Sequence, residues 1–406
     1  MSSQSSEKMD RISSRIRSLS ESQTIAMSQR SRELKSSGKD IINLSVGQPD
    51  FHTPDHIKEA AIQAIYDNYT SYPPVPGYKD LRTAIAAKLA EENHLDYSWE
   101  QVIVSAGAKH SIANTLLSLL DEGDEVIVPA PYWVSYVEQV KLAGGKNVIV
   151  QTDLECDFKI TPDQLQDAIT DKTKALILCS PSNPTGAIYS KEELQSIASV
   201  LEKSNHKIYV ISDEIYEYIN FLGDHQSIAQ FDNIRDRVIL VNGVSKGYAM
   251  TGWRIGYIAA PLEIARACAK LQGQMTSGAA SISQRAALAA ITSGKAFTNK
   301  MVRAVAKRRD LLISGLEEIE GMKKYTPQGA FYLFPDISYY FGKSTPDKTI
   351  QNDTELCYYL LEEAHVAVVP GSAFGSPNNL RISYAASEKE LNTALSRLKT
   401  YLDKLS

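Results

Sequence analysis

Val238-Ile239-Leu240-Val241-Asn242-Gly243-Val244-Ser245-Lys246-Gly247-Tyr248-Ala249-Met250-Thr251-Gly252-Trp253-Arg254-Ile255-Gly256-Tyr257 is the stretch from which the rest of the chain can be read. Val238 to Val241 is a short apolar run of strand type. Behind it sits Lys246, hemmed by small and aromatic residues. A lysine at such a strand end is placed to lose solvation. That disfavours the ammonium, lowers its pKa and leaves a nucleophilic amine. Such an amine forms Schiff bases with carbonyl compounds. Arg254, eight residues on, is suited to hold a phosphate. Most lysines at strand ends are simply solvated, so Lys246 alone decides nothing.

Working outward, strand-like and helix-like segments alternate from about residue 100 to 260. The strands are Val102–Ser105, Glu125–Val128, Asn147–Val150, Lys174–Cys179, Lys207–Ser212, Val238–Val241 and Arg254–Ala259. Helices are predicted over Lys109–Leu120, Val134–Leu142 and Lys191–Glu202. Strands spaced by helices imply βαβ crossovers and a largely parallel sheet covered on both faces. Ligands of such sheets bind beyond the carboxyl ends of the strands.

The rest reads as a second α/β unit. A long helix over Lys295–Ile319 leads to strands Phe331–Phe334, Ala367–Val369 and Leu380–Tyr384, with helices over Thr354–Ala364 and Glu388–Lys404. Ile41–Leu44 is expected to join it as a strand. The fold class is therefore α/β, with a large domain over residues 50–295 and a smaller one from 1–49 and 296–406.

The 406 residues exceed one compact core, and 43% hydrophobic with 22% charged residues is ordinary for a soluble protein. A net charge of −5 argues against a nucleic-acid partner. Cys156, Cys179, Cys268 and Cys357 are scattered without disulfide or metal spacing, which implies reduced thiols and a cytoplasmic location. The histidines form no sequence cluster, so no metal is expected. No apolar run is long enough to span a bilayer. Ser-rich residues 1–22 hold Arg11, Arg15 and Arg17, but Glu7 and Asp10 argue against a transit peptide. Ile12, Ile16 and Leu19 share one helical face, so a loose tail and a short docking helix are expected.

Several residues at strand ends carry possible chemistry. Asp213 follows the strand Lys207–Ser212, where a carboxylate either caps a helix or pairs with a cationic ring nitrogen. Tyr216 lies three residues on. Asn183 sits in Ser180-Pro181-Ser182-Asn183-Pro184-Thr185-Gly186, a turn that also aims an amide at a ligand. Ser105-Ala106-Gly107-Ala108-Lys109 joins a strand to a helix, and small residues there leave backbone N–H groups for a phosphate. Trp133 opens a helix, either as core or as a plane for a flat ligand. Arg381, in an apolar strand, needs a salt bridge or a bound carboxylate.

Asn183-Pro184-Thr185-Gly186, Asp213-Glu214-Ile215-Tyr216, Ser245-Lys246 through Trp253-Arg254-Ile255-Gly256 and the late Arg381 occur in the order of class I aminotransferases. From about Ile41 onward the chain resembles that pyridoxal 5'-phosphate (PLP) family of fold type I, most of all the bacterial aspartate aminotransferases of its Ib branch. The resemblance implies a mainly parallel seven-stranded sheet in the large domain. It implies that Lys246 anchors PLP, Asp213 pairs with the ring nitrogen, and Tyr216 and Asn183 bind the phenolic oxygen. Trp133 would stack on the ring, while Gly107, Ala108, Ser245 and Arg254 bind the phosphate. Gly47 and Arg381, helped by Asn183, would contact the substrate α-carboxylate. Tyr72 would reach a phosphate across a homodimer with shared sites. Lys109, beside the phosphate loop, would meet a distal carboxylate together with Ser22 and Thr24. Ala108 departs from the glycine common in relatives, which predicts a locally altered phosphate loop.

The implied reaction moves the amino group of L-aspartate to 2-oxoglutarate through PLP and pyridoxamine phosphate in turn. Aromatic or prephenate transamination and PLP-dependent carbon–sulfur β-elimination remain alternatives. A PLP-fold transcription regulator is a poorer fit, because the stretch before Ile41 is too short for a helix-turn-helix module. The expected partners are small amino and 2-oxo acids, with no nucleic acid and no membrane.

Overall fold

The computed structural model describes residues 12–21, 23–346 and 348–406. Its strands, in chain order, are β1 (Ile42–Asn43), β2 (Val102–Ser105), β3 (Glu125–Ala130), β4 (Lys146–Gln151), β5 (Thr173–Cys179) and β6 (Tyr209–Asp213). They continue with β7 (Val238–Gly243), β8 (Gly256–Ala259), β9 (Tyr332–Leu333), β10 (Val366–Ala367), β11 (Val369–Pro370) and β12 (Leu380–Ser383). Seven of them form one sheet in the order β2-β8-β7-β6-β5-β3-β4. β3, β4, β5, β6 and β7 pair in parallel, while β8 runs antiparallel to both β2 and β7.

Side-chain alternation explains why this sheet is covered twice. Leu176, Leu178, Val210 and Leu240 point into one core, with Leu81 and Ile85 of helix Lys79–Asn93 and Ile197 of helix Lys191–Glu202. Their neighbours Ala175, Ile177, Ile211, Ile239 and Val241 point into the other. There they meet Ile112 of helix Ala108–Leu119 and Val140 of helix Ser135–Leu142. A period of two therefore divides uninterrupted apolar strands between two helical layers. Helix Pro162–Ala168 was not anticipated, although Thr161 and Gln164 form a capping box around a proline at its start.

Both chain ends build the smaller sheets. β1 pairs in parallel with β10, and β12 lies antiparallel between β11 and β9. Helices Ala296–Glu317, Asp353–Glu362 and Glu388–Leu402 bury Val305, Leu312, Leu360 and Leu398 with these strands. Ala367–Val369 was expected as one strand and is split. The chain changes partner at Val368, from β1 to β12, and Pro370 has no N–H to extend the second ladder.

The expected docking helix is corrected. Ser14–Arg17 is a single turn with no buried residue, and Ile12 and Ile16 are 53% and 51% exposed. One turn is too short to present an apolar stripe. The segment is held instead by the Ser20 N–H, which donates to Glu138 at 2.9 Å. Among the described residues no helix is long and apolar enough to cross a membrane. All four cysteines are unpaired.

Candidate active site

The parallel strands deliver their ends to one edge. β5 ends at Cys179 opposite Asp213, the last residue of β6. β7 ends at Gly243, three residues before Lys246. Because β8 runs the other way, its first residue, Gly256, lies at this same edge between Gly243 and Ser105. Arg254 thereby meets the Gly107 turn. Together these elements enclose a cavity of about 270 Å³, lined by Ala108, Lys109, Trp133, Asn183, Asp213, Tyr216, Ser245, Lys246, Arg254 and Arg381 among others.

Asp213 is the carboxylate of this wall. Its Oδ2 accepts from the Tyr136 hydroxyl at 2.6 Å and its Oδ1 from the Ile215 N–H at 3.2 Å. Burial pushes the carboxyl up to about 6, against both bonds. Lys246 Nζ donates to the Gly47 carbonyl at 2.5 Å. Burial lowers this amine to about 8, and the positive charges of Arg381 and Arg254 act the same way. Near neutral pH it is therefore far closer to its nucleophilic form than a surface lysine.

Arg381 is only 2% exposed. Its guanidinium lies between the rings of Tyr332 and Phe374, 4.5 and 5.0 Å from their centroids. It donates to Asn183 Oδ1 at 2.9 Å and to the Ser45 carbonyl at 2.7 Å, while Nε is buried without a partner. Fixing Oδ1 in this way leaves the Asn183 amide nitrogen as its remaining donor. Lys109 Nζ stands 4.9 Å from the Trp133 ring, and burial lowers its pKa. The Thr24 hydroxyl is also buried without a partner beside the cavity.

The strand-to-helix turn answers the doubt over Ala108. Gly107 takes the left-handed conformation, φ +90°, and Ala108 is the first helical residue. The unusual backbone thus falls on glycine, and Ala108 carries no strain. The first N–H groups of that helix face no intrahelical acceptor and sit beside Arg254. Four cations, Lys109, Lys246, Arg254 and Arg381, surround one carboxylate. That balance suits a ligand with several anionic groups and one cationic N–H, the charge distribution of PLP with an amino acid.

Of the predicted residues that are described, Tyr72 is not brought to the cavity, and Gly107 reaches it only through its turn beside Arg254. Ser22 lies outside the described residues. Tyr72 is 92% exposed and borders a surface depression with Ser277 and Gly278. Gly47 does line the cavity. Sequence reading missed Tyr136 and Tyr332, whose hydroxyls bond Asp213 and Tyr216. Tyr136 follows Trp133 by one helical turn, which was the available signal. Sequence reading also missed the approach of His225 to Glu214 and Glu217, whose ligand atoms lie within 4.8 Å of one another. Those carboxylates already accept from Ser212, Ser227, Lys88 and Asn93.

The family profile described as aminotransferase class I and II matches residues 39–398. A protein of Pinus pinaster named aspartate aminotransferase is 46% identical over 96% of this chain and 80% of its own length. One from Petunia hybrida, named bifunctional aspartate aminotransferase and glutamate/aspartate-prephenate aminotransferase, is 46% identical over 96% and 82%. The crystal structure of the aspartate aminotransferase from Rhizobium meliloti superposes with a TM-score of 0.94 at 42% identity, covering 98% of this chain and all of that one. With its sheet, its cavity and these matches in agreement, the chain belongs to the class I and II aminotransferases.

Proposed function

We propose that this chain is a PLP-dependent aspartate aminotransferase that passes the amino group of L-aspartate to 2-oxoglutarate. One observation carries the reading. A buried lysine with a lowered pKa, a buried carboxylate and three further cations converge on one cavity. Bound there, PLP supplies an aldehyde carbon and a cationic ring that withdraws electrons.

Lys246 Nζ would hold the cofactor through its aldehyde, and its freed amine would serve as the base and acid that moves the proton of the substrate α-carbon. Asp213 accepts the ring N–H, and Tyr136 favours its ionised form. Tyr216 and the Asn183 amide donate to the phenolic oxygen, and Trp133 stacks on the ring. Gly107, Ala108, Ser245 and Arg254 hold the phosphate. Arg381, with Gly47 and Asn183, takes the α-carboxylate as a fork. Lys109 meets the distal carboxylate, as a flexible point charge that follows side chains of different length. Thr24 and Ser22 add hydroxyls.

Tyr72 completes a phosphate site in the partner of a homodimer, so the two sites are shared. The chain divides into a large domain, 50–295, and a small one, 1–49 and 296–406, and works in the cytoplasm. Prephenate, also a dicarboxylate, is a second substrate on this reading, consistent with the bifunctional relative. Lys246→Ala tests the assignment. The variant should bind PLP without a covalent link and lose turnover by many orders of magnitude. Near-normal turnover in that variant contradicts the proposal.

A further inference from the structure

Tyr216 and Tyr332 meet hydroxyl to hydroxyl at 2.7 Å, both buried. Burial pushes the ionisation of both phenols up, so each keeps its proton. A phenol has one proton and donates once. On the function proposed above, on which this inference rests, the cofactor's phenolic oxygen is anionic and accepts from Tyr216. The proton of Tyr216 is then committed to the cavity. Its bond to Tyr332 persists only with Tyr332 as donor. We propose that Tyr332 is a positioning residue that donates to Tyr216 and so strengthens Tyr216 as a donor to the cofactor.

Three contacts hold Tyr332 to this task. Its ring is covered by the Arg381 guanidinium at 4.5 Å, and β9 pairs it with Ser383 of β12, two residues from Arg381. Space for its hydroxyl depends on Gly47, where a Cβ would stand 2.7 Å from the phenolic oxygen. Gly47 has no left-handed backbone, so this space, rather than conformational freedom, calls for glycine there. Gly47 is itself held by Lys246 through its carbonyl. A chain of hydrogen-bonded donors is cooperative: the first bond polarises the second. Removing its first member leaves the phenolic oxygen more basic. The proton it shares with the Lys246-bound nitrogen is then held more tightly, and its pKa rises.

The test is a pH titration of the visible absorbance of the PLP-loaded protein, without substrate. Tyr332→Phe should raise the midpoint by about one pH unit, a tenfold change in proton affinity. Tyr216→Phe should raise it at least as far. The double variant should titrate with Tyr216→Phe alone, because Tyr332 acts only through Tyr216. An unchanged midpoint in loaded Tyr332→Phe, or additive shifts in the double variant, overturns the proposal. If Tyr332→Phe fails to load, Gly47→Ala serves, since it keeps the phenol but displaces its hydroxyl. It should shift the midpoint upward, and an unchanged midpoint overturns the proposal equally. A native protein whose Lys246 is not labelled by PLP and borohydride overturns the function reading itself, and this inference with it.

Discussion

Tyr136→Phe removes one hydroxyl and keeps the ring that packs edge-on against Trp133, with centroids 5.3 Å apart. The lost bond is the 2.6 Å contact to Asp213 Oδ2. That bond favours the carboxylate, whereas burial sets the group at about 6. A hydrogen bond to a charged group contributes about 1.5 kcal/mol, equivalent to about one pH unit. Without it, Asp213 should titrate near about 7, so at pH 6 its ionised fraction falls from about one half to about one tenth. Only the ionised form attracts the cationic ring N–H of PLP. Affinity for PLP should therefore fall about fivefold at pH 6 and by about a tenth at pH 8. Fluorescence titration of cofactor-free protein measures this. The ratio of variant to native affinity at each pH cancels the cofactor's own titrations. An equal loss at both pH values means that the ring's packing was damaged. No loss at pH 6 means that Tyr136 does not govern Asp213. Either result refutes the reasoning.

The same linkage gives a sign for stability. The folded pKa of Asp213 lies above its ordinary 3.8, so in cofactor-free protein this group opposes folding increasingly as pH rises from about 4 to about 6. PLP offsets that opposition, so its gain in melting temperature should be larger at pH 7.5 than at pH 5; thermal scans with and without PLP that give equal gains would contradict this. Lys109→Ser removes the cation over Trp133 and should lower kcat/KM for aspartate about 30-fold, or about 2 kcal/mol, while leaving phenylalanine nearly unchanged. Equal losses for both substrates in steady-state assays would place Lys109 on the phosphate or the fold. Tyr72 borders a surface depression with residues 276–282, and Ile62, Ile65, Tyr66 and Met275 are large apolar side chains that are also exposed. Light scattering should therefore report a dimer at assay concentration, and a fully active monomer would remove Tyr72 from the site.

The sheet was legible because β5, β6 and β7 are continuous apolar runs whose only polar residues come at their ends. Asp213, Asn183 and Lys246 stand out for that reason. The seven strands were placed within two residues of their true limits, and the partner switch at Val368 was missed because pairing is a property of neighbours rather than of local pattern. Arg381 was legible as a charge out of place in a buried strand. Its rings and its Asn183 partner were not, since they come from segments 198 residues and less away in sequence. Tyr136 and Tyr332 look like core aromatics in sequence. Only the folded chain shows that each hydroxyl ends on a functional group. The Ala108 question was decided by one backbone angle, at the residue before it. Nothing in the pattern of residues 12–19 showed that the helix there would end after four residues.

Transamination leaves the amino group on the cofactor, whereas β-elimination releases it as ammonia. PLP-loaded protein mixed in turn with excess L-aspartate and with an L-cysteine S-conjugate, in the absence of any 2-oxo acid, separates the two directly. The account predicts one oxaloacetate per active site from L-aspartate, no ammonia from either compound, and recovery of the starting absorbance only when 2-oxoglutarate is added. No oxaloacetate from L-aspartate, with continuous release of pyruvate, ammonia and thiol from the S-conjugate, would contradict it.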